Sequence, residues 1–392
     1  MQRRAFIRLV GGGTVAAVAL PPLAACSSSP HYPAAAIEAW QGPAKDLEPR
    51  RRAVAYAITA PNAHNRQPWR VDLRTPGQIV LHVDRERLLP HTDPLGRQIL
   101  LSQGTFLEVL VMALAEQGLA GRVELWPQGP QPAALADWDD RPVARITVVP
   151  GGTPDPLFAQ VLRRRTPKSA YDMQRPVDAA LLPPLIASVA PVAGMAAGAT
   201  VDASRLPALR TLCMDAARVE VRTPRTFLES LHLLRIGPDE ILQHRDGISI
   251  NTPMLRALNT LGLVDRQNMP AEGSTADRSA LQRFEDHSRT AMGFVWIHGP
   301  NTRADQVRAG QAYLRLQLQA TAQGLAVHPM SQALQEFAEM APHFEAAHRL
   351  LLGTGAPRSA ADPTLQMFCR IGYPAEAAPA TPRRPVAALL QA

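Results

Sequence analysis

Cysteine is almost missing from this chain. Three residues in 392 are too few for a disulfide framework or a four-cysteine zinc site. Aromatic side chains are also scarce, at 5%, which leaves little material for the stacking platforms that bind single-stranded nucleic acid. The 11 histidines nowhere fall into a His-Glu-x-x-His or Cys/His ligand spacing, so no metal is expected. There is no Gly-x-Ser-x-Gly elbow of the kind an α/β-hydrolase needs. Gly11-Gly12-Gly13 lies in an apolar stretch with no strand before it, and is not a dinucleotide-binding fingerprint.

What is present is enough apolar material, 46% of residues, to build a substantial core and exclude wholesale disorder. The 37 prolines point to many loops and element ends. Lys and Arg number 41 against 34 Asp and Glu, a formal charge of +7, which raises nucleic acid as a partner until the charges are placed.

Part of the excess sits at the start of the chain. Gln2-Arg3-Arg4-Ala5-Phe6-Ile7-Arg8 precedes an apolar, small-residue-rich run from Leu9 to Ala25, and no acidic residue occurs before Glu38. A charged start, apolar middle and small-residue end are the three regions of an export signal. The paired arginines resemble the twin-arginine type, whose machinery passes folded proteins. The alternative, a membrane span, needs about 20 residues and is weakened by the glycines and by Pro21 and Pro22. Leu23-Ala24-Ala25-Cys26 resembles a bacterial lipobox, in which Cys26 carries lipid and becomes the mature N-terminus. An ordinary cleavage site is the alternative. The expectation is a signal over 1–25, a tether over 26–49, and an exported, periplasmic protein anchored to the membrane as a lipoprotein. Removing residues 1–25 takes away three arginines and leaves +4.

The rest reads as two unequal halves, 50–150 and 151–392. Residues 50–60 suit a helix ending before Pro61. Trp69–Leu73 and Ile79–Val83 alternate apolar and polar side chains across Thr75-Pro76-Gly77-Gln78, a hairpin pattern. Gly104–Gly118 is nearly continuous in apolar residues, as a helix buried on most sides would be. Met292–Ile297 reads as a buried strand, and Gly310–Gly324-Leu325 repeats the spacing of Gly104–Gly118-Leu119. The pattern fits two copies packed as an intramolecular pseudo-dimer, helix 104–118 against helix 310–324. Cys213 and Cys369 are open to two readings, a pair in an oxidising compartment or buried thiols, and burial is the default.

The loop Pro61-Asn62-Ala63-His64-Asn65-Arg66-Gln67-Pro68-Trp69 resembles the Pro-Ser-x-x-Asn-x-Gln-Pro-Trp loop of the nitroreductase-like flavoproteins. Asp93-Pro94-Leu95-Gly96-Arg97-Gln98 and Ser102-Gln103-Gly104 resemble the branch with two fused copies, which includes the mycobacterial dormancy-associated FMN-binding proteins. Arg164, Arg165, Thr166 and Lys168 match that family's Arg-Arg-Ser-x-Arg motif, with lysine in the last place. The resemblance implies an α+β nitroreductase-like fold and FMN as cofactor. It implies cofactor contacts from Arg164, Arg165, Thr166 and Lys168, from Asn62, His64, Asn65 and Gln67, from Leu325 and Ala326, and from Arg383 and Arg384 near the C-terminus. Half one has the loop and half two the arginines, so one FMN per chain and a monomer are expected. No catalytic side chain is assigned. The implied activity is two-electron transfer from a small-molecule donor through FMN to a nitroaromatic, quinone or similar acceptor. The alternative is a protein that binds or sequesters FMN with little turnover. Either way the basic residues belong to a cofactor, and no nucleic acid is expected.

Overall fold

Helix α1 (Pro49–Ala57) starts where Pro49 occupies a position that lacks an intrahelical partner for an N–H anyway, and the Glu48 carboxylate accepts from the Arg51 N–H. It stops short of Pro61, as the sequence predicts. The computed structural model describes residues 32–391, so the expected export signal and Cys26 lie outside the described residues. After α1 the expected hairpin forms. Strands β1 (Trp69–Asp72) and β2 (Gln78–Val83) alternate buried and half-buried side chains and pair antiparallel, Trp69 opposite Val83. Helix α2 (Arg97–Ala115) follows, buried on nearly every side, and leads to β3 (Leu119–Leu125) and β4 (Ala144–Pro150). The four strands form an antiparallel sheet of order β1-β2-β4-β3.

The second half contains β5 (Ala196–Thr200) and helix α3 (Leu206–Arg222). A peripheral segment comes next, in which β6 (Leu234–Ile236) pairs parallel with β7 (Ile248–Ile250), followed by α4 (Pro253–Thr260) and α5 (Thr275–Arg289). The chain then makes β8 (Gly293–Gly299), α6 (Arg303–Ala322), β9 (Ala326–Pro329), α7 (Ala341–Leu352) and β10 (Thr364–Gly372). This sheet is also antiparallel, in the order β5-β8-β10-β9. Both sheets therefore run first, second, fourth, third, with a long helix between the second strand and the third. The architecture is α+β.

The two units meet along α2 and α6. A Cβ placed on Gly104 would lie 1.8 Å from the Val307 carbonyl oxygen, and one on Gly310 would lie 1.9 Å from that of Leu101. The helices thus cross backbone to backbone, with glycine the one residue that fits on either side. The sequence places these glycines at the helix starts. Both helices in fact begin seven residues earlier, and the glycines mark the crossing. Side chains interlock around it. Val307, Leu314 and Leu318 of α6 join the core of the first unit, and Leu101 of α2 joins that of the second. Glu108 accepts from Gln311 at 2.9 Å and from Arg315 at 2.8 Å. Arg97, fully buried, reaches Glu336 at 3.1 Å, the Gln366 carbonyl at 2.7 Å and the Leu334 carbonyl.

Two expected boundaries change. Residues 32–49 are no loose tether, since Ala36 and Trp40 are buried and the Trp40 indole N–H donates to the Thr381 carbonyl at 2.8 Å. Apolar burial of one indole outweighs the linker-like composition around it. The last residues of the chain also leave the second half. Val71 in β1 donates to Leu389 at 2.8 Å and accepts from Gln391 at 2.9 Å, so the C-terminus edges the first sheet. Cys213 and Cys369 are buried free thiols.

Gly310→Ala should destabilise the protein by about 1–3 kcal/mol or more, because the added methyl has no room between two backbones. Urea denaturation measures it, and an unchanged midpoint would contradict the crossing.

Candidate functional site

Loop 61–68 of the first unit is docked on α2. Thr105 Oγ1 donates to the Pro61 carbonyl at 2.6 Å, Ala63 N donates to Ser102 Oγ at 3.1 Å, and Gln103 Nε2 donates to the Pro68 carbonyl at 2.6 Å. These bonds give the Ser102-Gln103 part of the motif its structural meaning. Within the loop, Asn62 Oδ1 accepts from the Gln67 N–H at 2.8 Å. His64, Asn65 and Gln67 have φ of 48, 52 and 50°, a left-handed conformation uncommon for side-chain-bearing residues and held only where the surroundings dictate it. Here those surroundings are explicit. Asn65 donates to the Pro382 carbonyl at 3.1 Å and accepts from Arg383. Gln67 donates to the Arg245 carbonyl at 2.8 Å and accepts from the Arg384 N–H.

The tight loop leaves His64 Nδ1 buried with no partner among the described residues. Burial, then the charges of Lys168, Arg66 and Arg283, hold its pKa down to about 4. The second unit holds a cavity of about 610 Å³ between segment 168–170 and α5, which His64 does not itself line. Lys168, Arg278, Gln282, Arg283 and His287 line it, together with one acid, Asp286. Burial and the neighbouring Arg283 bring Lys168 down to about 8. Burial, Arg370 and Arg283 bring His287 down to about 3. Behind this wall, Arg370 donates to the Ser169 carbonyl at 2.7 Å, to the His287 carbonyl at 3.0 Å and to His328 Nδ1 at 3.0 Å. That last bond leaves the proton of neutral His328 on Nε2. Glu220 is the nearby buried acid. It accepts from Gln335 at 2.8 Å, and burial raises its pKa to about 7. Among the described residues neither Lys168 nor Arg283 makes an ion pair. A concave, net-positive site with unpaired cations is suited to an anion.

The other expected site residues divide. Arg164 is buried and donates to Gln317 at 2.8 Å, Thr166 Oγ1 at 3.1 Å and the Thr59 carbonyl at 3.2 Å. Arg165 lies 4.3 Å over the Trp40 ring. Arg383 also donates to Thr59 and lies 5.1 Å from the same ring. Three arginines therefore gather on Trp40, a residue the sequence places in a tether. None of them ion-pairs among the described residues. Arg384 is committed elsewhere, paired with Asp84 at 3.2 Å. Leu325 and Ala326 are buried at the start of β9, where Ala326 pairs with Gly372, and neither lines the cavity. The expected single ring of basic residues is thus two clusters, one around Trp40 and one around the cavity.

Arg278, Arg283 and His287 are not apparent from the motifs. They lie in a segment that the family pattern matches only loosely. The available signal is helical spacing on α5, where cavity-lining residues recur four apart at 278, 282 and 286 and at 279, 283 and 287.

Sequence comparison finds relatives in Mycobacterium tuberculosis. One provisionally named an NAD(P)H nitroreductase, Rv3131, is 27% identical over 354 residues, covering 88% of this chain and 92% of the relative. A second with the same provisional naming, acg, is 27% identical over 346 residues, covering 86% and 93%. The chain is thus similar in sequence to these two relatives along most of its length. No protein-family model matches it. Among solved structures, the FMN-dependent nitroreductase NfnB of Mycobacterium smegmatis, in complex with NADPH, aligns with 58% of this chain and 92% of its own, at 17% identity and a TM-score of 0.35.

His64 and His287 have folded pKa values of about 4 and about 3 against an ordinary 6.5. As pH falls through 6.5 the unfolded chain takes up protons that these two imidazoles refuse when folded, so they contribute a loss of stability between about pH 6.5 and 4. In ligand-free protein, His287→Asn should flatten the fall in Tm between pH 7 and 5. An unchanged slope would contradict a buried neutral imidazole.

Proposed function

We propose that this nitroreductase-like chain is an FMN-dependent oxidoreductase with one cofactor site. The site lies where loop 61–68 of the first unit meets segment 164–170 and α5 of the second. The observation that carries the reading is a cavity lined by Lys168, Arg278, Arg283 and His287 in which neither Lys168 nor Arg283 ion-pairs among the described residues, with the buried, unpartnered His64 of the other unit close enough to feel the charges of Lys168 and Arg283. The near-dianionic phosphate of FMN needs such donors, and a charge-assisted bond contributes about 1.5–3 kcal/mol. The buried, unpartnered Nδ1 of His64 fits a polar edge of the same ligand. The residues present therefore fit the group, and the names of the relatives favour it.

FMN, when bound, supplies reversible two-electron transfer that no side chain here performs. The protein's part is binding and orientation. Lys168 and Arg283 would hold negative charge, and an anion beside Lys168 would raise its pKa and keep it charged. His64 stays neutral and presents one nitrogen. Arg164, Thr166, Asn62, Asn65 and Gln67 act at one remove, fixing the loop and the segment that carry these groups. Acceptors of the nitroaromatic or quinone type suit a reductase of this kind.

We read the two units of matching strand order as joined copies of one ancestral half, working as a monomer. Export through the twin-arginine route and anchoring at Cys26 suit a cofactor inserted before translocation. That location also favours a second reading, binding of FMN with little turnover, since an NAD(P)H pool is not expected outside the cytoplasm.

Purified mature protein should be yellow and release about one FMN per chain. Lys168→Met and Arg283→Met should each weaken FMN binding by about tenfold or more, with folding checked by circular dichroism. Colourless protein that cannot be reconstituted would overturn both readings. Stopped-flow bleaching of the flavin with NADH or NADPH distinguishes the enzyme from the store.

A further inference from the structure

The segment around α4 carries apolar side chains that the fold leaves uncovered. Met254 is 73% exposed, Leu261 70% and Leu263 67%, far beyond the other large apolar residues of the described chain. Their exposure is built in. The Leu263 N–H donates to the Leu258 carbonyl at 2.9 Å and Gly262 takes a φ of 68°, a helix ending that holds Leu261 and Leu263 outward on one rigid turn. Scattered exposed apolar residues need no explanation, but these three lie on one eight-residue helix and the turn that ends it.

The second observation is where the chain enters. Tyr32, the first described residue, donates its hydroxyl to the Ser249 carbonyl in β7 at 3.0 Å, four residues before α4 begins. Glu38 pairs with Arg245, just ahead of β7, at 3.0 Å. Five residues separate Tyr32 from Cys26, and the six Cα-to-Cα steps reach about 21 Å at full extension. A lipid on Cys26 would therefore hold this side of the molecule within that distance of a bilayer.

We propose that the turn and helix bearing Met254, Leu261 and Leu263 form a docking surface for the lipid bilayer, inserting beside the anchor at Cys26. The inference rests on the lipidation reading of Cys26 and not on the flavin. The lipid supplies the attachment, and apolar side chains inserting beside it would fix which face of the protein meets the bilayer. Arg256, exposed on the same helix with no ion pair among the described residues, is the single unpaired cation there. Insertion should therefore depend on apolar contact more than on lipid charge. The residue just ahead of β7 also meets loop 61–68, the Gly247 N–H donating to the Asn65 carbonyl at 3.2 Å.

The test uses the full mature chain, lipidated in cells and reconstituted into phosphatidylcholine vesicles. Leu261→Cys, Leu263→Cys and, for comparison, Leu350→Cys on α7 each receive an environment-sensitive dye. The native Cys213 and Cys369 are buried and stay unlabelled. The dyes at 261 and 263 should shift to the blue and be quenched by a lipid-borne quencher, while the dye at 350 should do neither. Phosphatidylglycerol vesicles should give the same pattern. Three results overturn the proposal. The dyes at 261 and 263 could stay as wet as that at 350 on protein that floats with the vesicles. The mature chain could fail to float at all, which removes the anchor. The same dyes could become buried in a dimer without vesicles, which assigns the patch to a second copy.

Discussion

Two glycines facing each other across a helix crossing set the geometry of this molecule. At Gly104 and Gly310 the backbones of α2 and α6 touch, and any side chain there would enter the opposing carbonyl. Close approach lets each helix contribute apolar side chains to the other unit's core. It also brings Glu108 within reach of Arg315, and Arg97 within reach of the carbonyls beyond it. Since loop 61–68 is bonded directly to Ser102, Gln103 and Thr105 of α2, its position relative to the second unit is fixed by the same crossing.

Electrostatics then separates structural cations from available ones. Asp246 accepts from Arg66, Arg87 and Arg235, and Asp84 from Arg87 and Arg384, tying the loop, the C-terminal strap and the peripheral segment together. Those charges are used. Arg164, Arg165 and Arg383 meet backbone carbonyls and the Trp40 ring instead of acids. Lys168 and Arg283 make no ion pair among the described residues, and the one acid lining the cavity, Asp286, is paired with Arg289, so it is there that an anion gains most. Strain concentrates beside them, in three consecutive-neighbourhood residues of one loop with left-handed φ, as expected where a site is held ready by its surroundings.

The sequence announces the elements whose periodicity is strong. Helix α1, the β1–β2 hairpin, the buried strand β8 and the two crossing helices are all legible, because alternation and near-continuous apolarity follow directly from burial. The role of the repeated glycines is not, since a glycine at a helix start and one at a crossing look alike in one dimension. Loop 61–68 and Lys168 are legible through motif spacing. Trp40 is not, because its neighbours have a linker's composition and its partners lie more than a hundred residues away. Arg384 reads as a free cation until Asp84, 300 residues earlier, is placed beside it. Arg283 is invisible for the complementary reason, lying on a polar helix without a motif and gaining meaning only from the wall it faces.

The idea that both units build one ligand site is tested most directly by hydrogen exchange with and without added FMN. Residues 61–68 of the first unit, and 164–170 and 275–289 of the second, should gain protection together and at the same FMN concentration. Protection confined to one unit, or two sets of changes saturating separately, would contradict a single shared site.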